Sequence, residues 1–398
     1  MKSASATADV YKAGVLAAKL ARDRQGTHFR YLPDYLAAGA PPVATTLPLT
    51  TETVTHTGGA VAPFLAGLLP EGRRLTALRT AIKASADDEF ALLLAVGSDT
   101  IGDVQVVPEG APPTPAPPLL EIPHDLSGFS FAVALGSATG FDRRGLPGVQ
   151  DKASGRIFKL PAQATGRDVI LKLAPPEFPF VIENEAFFLT AAKTAGMESV
   201  RWKLVSDGEG TSALIVERFD RIAVRGQLER LAFEDAAQVL GVWPADKYNV
   251  SLEEAVLGLV ALTAAKPVAA QRLFQQVAFA MLTGNGDQHA KNLGVLATAD
   301  GEWRASPVYD VPSTLPYGDD TLALTMSGSD RPYSRRKLLA FAAEIGLPAA
   351  SATRTLDRLL ARTATPLSEA HLTTLPFSVP TLRRLSKSLA YRRKQLAD

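Results

Sequence analysis

The chain contains no cysteine among its 398 residues. That excludes disulfides and thiolate metal sites, and it suits a reducing compartment. Histidine is scarce: His28, His56, His124, His289 and His371 are scattered, so a multi-histidine metal cage would have to assemble from distant loops. No run of apolar residues reaches the ~18 that a membrane span requires; Val256–Ala265 is too short and is flanked by Glu254 and Lys266. Near the N-terminus, Lys12, Lys19, Arg22 and Arg24 interrupt the apolar residues, which does not read as a signal peptide. A net charge of +1 excludes a molecule whose whole surface binds nucleic acid; only a local basic patch could do so. A soluble cytoplasmic protein without membrane contact is expected.

What the chain has is an ordinary globular composition, 46% hydrophobic and 21% charged. Its length implies two or three packed units. Seven prolines within 108–123 forbid a helix or a central strand there. The expected organisation is an N-terminal domain at 1–107, a proline-rich linker at 108–123, a β-rich part at 124–222 and a helical part at 223–398.

Helices are expected at 61–69, broken by Pro70-Glu71-Gly72, and at 86–96, whose first turn is acidic. After a glycine-punctuated stretch, 136–155, come strands at 156–160 and 168–174. A helix at 182–196 and strands at 202–206 and 213–219 follow, and the chain reads as mostly helical from about 233. The fold class is therefore α+β: a bilobal, protein-kinase-like ground plan with a small mixed α/β N-terminal domain and a large helical C-terminal lobe.

Four signals carry chemistry. In NGDQHAKN, 285–292, Asp287 and Asn292 have the spacing of a kinase catalytic loop. There the aspartate accepts the substrate hydroxyl proton and the asparagine reaches a magnesium ion. Clustered Asn, Gly, Asp and His would also make an ordinary turn. In SPVYDVPS, 306–313, Asp310 follows at the distance of the second magnesium-holding aspartate, although a strand-end turn reads the same way. Lys172 lies in the apolar strand VILKLA, with Glu183 and Glu185 in the next helix; such a lysine faces either solvent or an anion, and Lys159 is its competitor. GLPGVQDK, 145–152, could bring backbone amides to phosphates or could simply turn.

Together these residues resemble the HipA family of bacterial toxin kinases. LLPEGRRL (68–75), GVQDK (148–152), ILKL (170–173), ENEA (183–186), VERFDR (216–221), FEDAAQ (233–238), NGDQHAKN and PVYDVPS occur in the family's order across nearly the whole chain. The resemblance implies a serine/threonine protein kinase using ATP and Mg2+, acting as a growth-inhibiting toxin on a translation component such as an aminoacyl-tRNA synthetase. Asp287 would be the base, and Asn292 and Asp310 the metal ligands. Gly148, Val149, Gln150 and Lys152 would form the phosphate loop, and Lys172 would contact phosphates. Glu217, Phe219 and Tyr309 would lie near adenine; His289, a structural member of the catalytic loop, and Lys291 are further nucleotide-binding candidates. Where the family often carries an autophosphorylated serine stands Gly145, and neither Ser137, Thr139 nor Ser154 matches it. Implied partners are a HipB-like helix-turn-helix antitoxin, operator DNA through that complex, and a protein with a Ser/Thr acceptor. Arg331, Arg335, Arg336 and Lys337 are DNA-contact candidates, as is the basic group Arg383, Arg384, Lys387, Arg392, Arg393 and Lys394. Solvated helix faces are the plainer reading of both. Two other readings are weighed: a catalytically inactive corepressor, and a metal-dependent hydrolase built on Asp287, His289 and Asp310.

Overall fold

The computed structural model describes residues 6–85, 87–114, 117–134, 157–224 and 226–398. They form an α+β fold with two compact units that interleave along the chain. None of the described helices is long and apolar enough to cross a membrane.

The first unit comprises residues up to Pro117 together with Asp220–Lys247 and Leu296–Glu302. Strands β1 (Ala6–Lys12), β2 (Val15–Arg22), β3 (Gly26–Tyr31), β4 (Val54–Thr57) and β5 (Val104–Pro108) form one antiparallel sheet in the order β4-β3-β2-β1-β5. Its core gathers Val10, Leu20, Phe29, Phe64, Leu65, Leu93 and Val106. The expected helix at 61–69 is shorter, Pro63–Gly67, and the one at 86–96 runs Glu89–Val96 with Asp88 capping the Ala91 amide. The expected break is present: the first helix ends at Gly67, and a further, unexpected helix begins at Gly72 and runs to Ile82. None of its residues is fully buried, although Leu75, Leu78 and Ile82 fall at helical spacing.

The expected domains were consecutive, whereas Asp220–Lys247 returns to this first unit. Polar anchors explain the return. Asp220 accepts from the Gly102 amide at 2.8 Å, and the Arg221 guanidinium donates to the Gly102 and Thr100 carbonyls at 3.0 and 2.9 Å. Glu234 accepts from the amide and hydroxyl of Thr45 at 2.9 and 2.6 Å. Trp243 packs edge-on against His56.

The second unit comprises Pro118–Phe219, Tyr248–Val295 and Trp303–Asp398. Its sheet contains β6 (Glu121–Ile122), β7 (Phe158–Ala164), β8 (Arg167–Leu173), β9 (Trp202–Ser206) and β10 (Ser212–Glu217) in the order β6-β7-β8-β10-β9. The short β6 pairs parallel with β7, so the end of the expected linker is itself part of a sheet. Alternation divides β7 and β8 into two faces. Leu160, Ala162, Val169, Leu171 and Leu173 join Phe131 in a small core. Lys159 and Lys172 are exact cross-strand partners and share the opposite face.

Helix Val181–Thr194 follows β8. The helical part is organised around Lys266–Thr283, which packs against Leu252–Leu262, Ala349–Thr363 and Val379–Ala397. Phe274, Phe279, Phe341, Leu356 and Leu359 are almost completely buried there. Gly284, in the left-handed region at φ 68°, ends the long helix and starts the candidate loop.

Candidate active site

Lys172 is only 4% exposed. Its ammonium donates to Glu185 Oε1 at 2.6 Å and to Asp310 Oδ1. Lys159 donates to the other oxygen of Asp310, Oδ2, at 2.6 Å. Of the two expected helix carboxylates, Glu185 is the one that faces the sheet; it is 1% exposed. Lys159 and Lys172 therefore do not compete for one role: both reach Asp310.

Burial opposes ionisation of Lys172, but Asp310 and Glu185 outweigh it and hold the ammonium pKa above its usual value. Burial pushes the Glu185 carboxyl up, with Lys172 pulling the other way. Burial also disfavours the Asp310 carboxylate, yet Lys159 and Lys172 together hold its pKa far below the usual range. Asp310 occupies the left-handed region at φ 52°, an uncommon setting for a residue with a side chain and one that recurs at functional sites.

The loop after the long helix brings Asp287 and Asn292 together. Asn292 Nδ2 donates to the Asp287 carbonyl at 2.8 Å, and so does the His289 amide, also at 2.8 Å. The hydroxyl of Tyr248 donates to Asp287 Oδ1 at 2.9 Å, and its ring meets His289 edge-on. Asn285 links the two acidic segments: it accepts from the Asp287 amide at 3.1 Å and donates to the Asp310 carbonyl at 3.2 Å. The segment after Asp310 is tied down as well. Asn184 and Ser313 exchange two hydrogen bonds, at 2.8 and 3.0 Å, and the Thr314 amide donates to the Gly284 carbonyl at 2.8 Å. Asp287, Asn292, Asp310 and Lys172 thus belong to one connected polar network within the second unit.

Two glycines shape this loop. A Cβ on Gly284 would meet Leu315 carbons at 2.5 Å, and one on Gly286 would meet Thr314 Oγ1 at 2.6 Å and the Thr321 carbonyl at 2.8 Å. A side chain at Gly284 would have to displace Leu315, and one at Gly286 would press on backbone as well.

The other expected residues divide. Phe219 and Tyr309 stack on one another, centroids 5.5 Å apart, and Tyr309 donates to the Lys291 carbonyl at 2.9 Å. The Glu217 carboxylate pairs with Arg167 and Arg201, at 2.7 and 3.7 Å, and its amide donates to the Arg201 carbonyl at 2.9 Å, so the side chain expected near adenine is engaged elsewhere. The phosphate-loop candidates Gly148, Val149, Gln150 and Lys152 lie outside the described residues, as do Gly145, Ser137, Thr139 and Ser154. Arg331 pairs with Asp320 at 2.9 Å and Arg335 with Asp357 at 2.8 Å, while Arg336 is exposed. In the second basic group Arg392 is buried, donating to the Met281 and Asp320 carbonyls, and Arg393 turns inward to Leu360 and Thr363.

The donor set fits magnesium. Asn292 spends its amide nitrogen on the Asp287 carbonyl, which leaves the amide oxygen for a hard cation, and Asp310 supplies a carboxylate. One or two such oxygens, completed by phosphate and water, are what this ion takes. Among the described residues no group of three or more His, Cys, Asp or Glu is placed to hold a metal, so a site made by protein carboxylates and histidines alone has no support there.

Sequence alone did not single out Tyr248, Asn184 or Asn285. Asn285 stood inside a recognised motif; Tyr248 lies 39 residues before its partner, with no local pattern to mark it.

A buried strand lysine held by a glutamate of the next helix, and facing an aspartate behind a loop of Asp-x-x-x-x-Asn spacing, places the α+β fold in the protein-kinase-like class. Comparison makes the assignment narrower. Residues 8–107 match the HipA N-terminal domain and 145–366 the HipA-like C-terminal domain, so the chain belongs to the HipA family. It is 30% identical to the serine/threonine-protein kinase toxin HipA of Shewanella oneidensis over 370 residues, 85% of this chain and 83% of that protein. Two provisionally named kinases of Sinorhizobium fredii are 35% and 31% identical, over 67% and 65% of this chain. Those matches span 66% and 65% of the two relatives, just under two thirds of their length. The fold is that of the HipA chain in the Shewanella oneidensis complex of HipA, HipB and operator DNA: TM-score 0.74, 24% identity, covering 98% of this chain and 97% of that one.

Proposed function

We propose that the protein is a kinase that transfers the γ-phosphoryl group of ATP, with Mg2+, to a serine or threonine hydroxyl of another protein. The observation that supports this best is the Asn285 link, which fixes Asp287 and Asp310 relative to one another while Lys172 is clamped between Asp310 and Glu185. Phosphoryl transfer depends mainly on positioning and charge neutralisation, and a rigid polar network of this kind serves both.

In this reading Asp287 accepts the proton of the acceptor hydroxyl, oriented by the Tyr248 hydroxyl on Oδ1. Lys172 contacts the phosphates, steadied by Glu185. Asn292 and Asp310 would hold Mg2+, which when bound neutralises phosphate charge. The stacked rings of Phe219 and Tyr309 provide an apolar surface for adenine, and the 148–152 segment would cradle phosphates with its amides. By family resemblance, the chain would act as a growth-inhibiting toxin on a translation component, held by a helix-turn-helix antitoxin that binds operator DNA.

The test is incubation with γ-labelled ATP and a cell lysate, wild type beside Asp287→Asn, followed by phosphosite mapping. The expected result is labelled serine or threonine with the wild type only. Equal labelling by both proteins would remove the assignment.

A further inference from the structure

Among the described residues Lys159, Lys172, Asp310 and Glu185 form a linked group of two positive and two negative charges. The two lysines are not equivalent within it. Lys172 divides its ammonium between Glu185 and Asp310, and its side chain is 6% exposed. Among the described residues Lys159 is hydrogen-bonded through its ammonium only to Asp310, and its side chain is 38% exposed. One lysine is anchored in the interior; the other reaches the same carboxylate from the solvent side.

A divalent cation arriving alone at Asp310 would add two positive charges to a group that is already neutral, and both carboxylate oxygens already accept from ammonium groups. Partly buried charges are screened weakly, so this repulsion persists at physiological salt. A polyphosphate changes the balance. Its negative charges offer Lys159 an alternative partner and repay the entry of the cation.

We propose that Lys159 is a charge lock on Asp310: in the absence of nucleotide it keeps this four-residue group neutral, so that a divalent cation binds at Asp310 only together with a polyphosphate. This rests on the kinase reading for the identity of the polyphosphate, but not for the behaviour of the metal.

The test measures Mn2+ binding to the nucleotide-free full chain by electron paramagnetic resonance, for wild type, Lys159→Met and Lys159→Arg. Removing one positive charge beside Asp310 should tighten Mn2+ binding about tenfold or more. Lys159→Arg, which keeps the charge, should bind as weakly as wild type. Adding a non-hydrolysable ATP analogue should bring the wild type close to Lys159→Met. Thermal melts establish that each variant is folded, and Lys159→Gln replaces Lys159→Met if that one is not. Equal Mn2+ affinity in all the folded variants would overturn the lock. Tighter Mn2+ binding by Lys159→Met in a protein that transfers no phosphate would keep the lock and remove the kinase reading; an active kinase with unchanged Mn2+ affinity would do the reverse.

Discussion

Lys159 and Lys172 stand directly opposite one another across β7 and β8, and the single carboxylate of Asp310 accepts from both. Like charges in that position repel. The pair is tolerable because Asp310 lies between the two ammonium groups and Glu185 takes the remaining share of Lys172. Removing one member should therefore cost more than removing a balanced pair. Lys172→Met leaves Glu185 buried without its ammonium partner, and a loss of about 3–5 kcal/mol is expected. Lys172→Met combined with Glu185→Gln should recover much of it. Denaturant melts of the two single variants and the double variant check this; purely additive losses would contradict it.

Tyr248 should matter for turnover more than for nucleotide affinity. Its hydroxyl donates to Asp287 Oδ1 at 2.9 Å and orients the carboxylate that receives the proton. Tyr248→Phe keeps the ring against His289 and removes the hydroxyl. A fall in kcat of about tenfold is expected, below the ~10²–10⁴-fold contributed by an acid–base group itself, because Tyr248 only orients that group. The Kd for ATP should stay within twofold of wild type, roughly the scatter expected when no ground-state contact is lost. Steady-state kinetics together with nucleotide titration separate the two quantities.

Much of this site was legible because its signals are local. Asp287 and Asn292 share one short loop, and Lys172 interrupts an apolar alternation. Other parts depend on geometry that no local pattern encodes. Glu183 and Glu185 are equally plausible on paper; only the rotation of helix Val181–Thr194 against the sheet turns Glu185 inward. Lys159 joins the site through the β7–β8 register, and a one-residue slip would have sent it to the opposite face. The return of Asp220–Lys247 to the first unit rests on long-range anchors such as Arg221 to the Thr100 carbonyl. Helix Gly72–Ile82 carries only a short stripe, Leu75, Leu78 and Ile82, directly after the Pro70-Glu71-Gly72 break.

Gly286 should not tolerate a methyl group. A Cβ there would lie 2.6 Å from Thr314 Oγ1, 2.8 Å from Asp319 Oδ2 and 2.8 Å from the Thr321 carbonyl. Backbone cannot move aside as a flexible side chain can, so Gly286→Ala should cost about 1–3 kcal/mol, the range for overpacking. It should also lower activity by displacing Asp287. Gly301→Ala is the control: at φ 80° it meets nothing within 4 Å, and only the left-handed backbone strain of about 1–2 kcal/mol applies. Stability losses are comparable in size, so activity is the discriminating measurement: Gly301→Ala should retain it.

The first unit should weaken as the solution becomes acidic. His56 packs edge-on against Trp243, ring centroids 5.7 Å apart, and burial lowers its pKa below the ordinary 6.5. The folded state therefore binds its proton less readily than the unfolded chain does. The sign follows by linkage: the contribution is fully present above pH 6.5 and is lost as pH falls through the lowered folded-state pKa. His56→Phe keeps an aromatic ring on Trp243 and removes the titration. Melting temperatures between about pH 7.5 and 5, spanning the histidine range, should decline less for the variant than for wild type. Parallel curves would show that His56 does not contribute.

The basic C-terminal helix, Val379–Ala397, should divide into structural and surface arginines. Arg392 is 3% exposed; it donates to the Met281 carbonyl at 2.9 Å and to the Asp320 carbonyl, with its guanidinium 3.9 Å above the Tyr333 ring. It ties this helix to the end of Lys266–Thr283, the helix that leads into the catalytic-loop candidate. Arg392→Ala strips a buried carbonyl of its charged donor and removes the ring contact, so a loss of about 2–4 kcal/mol is expected. Arg383 and Arg384 are exposed on the same helix, and their replacement by alanine should change stability by less than about 0.5 kcal/mol. Any effect of those two on binding an acidic partner or DNA can then be read without a folding defect, and it should diminish as salt rises. For Arg392 the same measurement would mix folding with binding, so melts must precede any binding assay on this helix. A stable, fully active Arg392→Ala would show that the helix is held without this clamp.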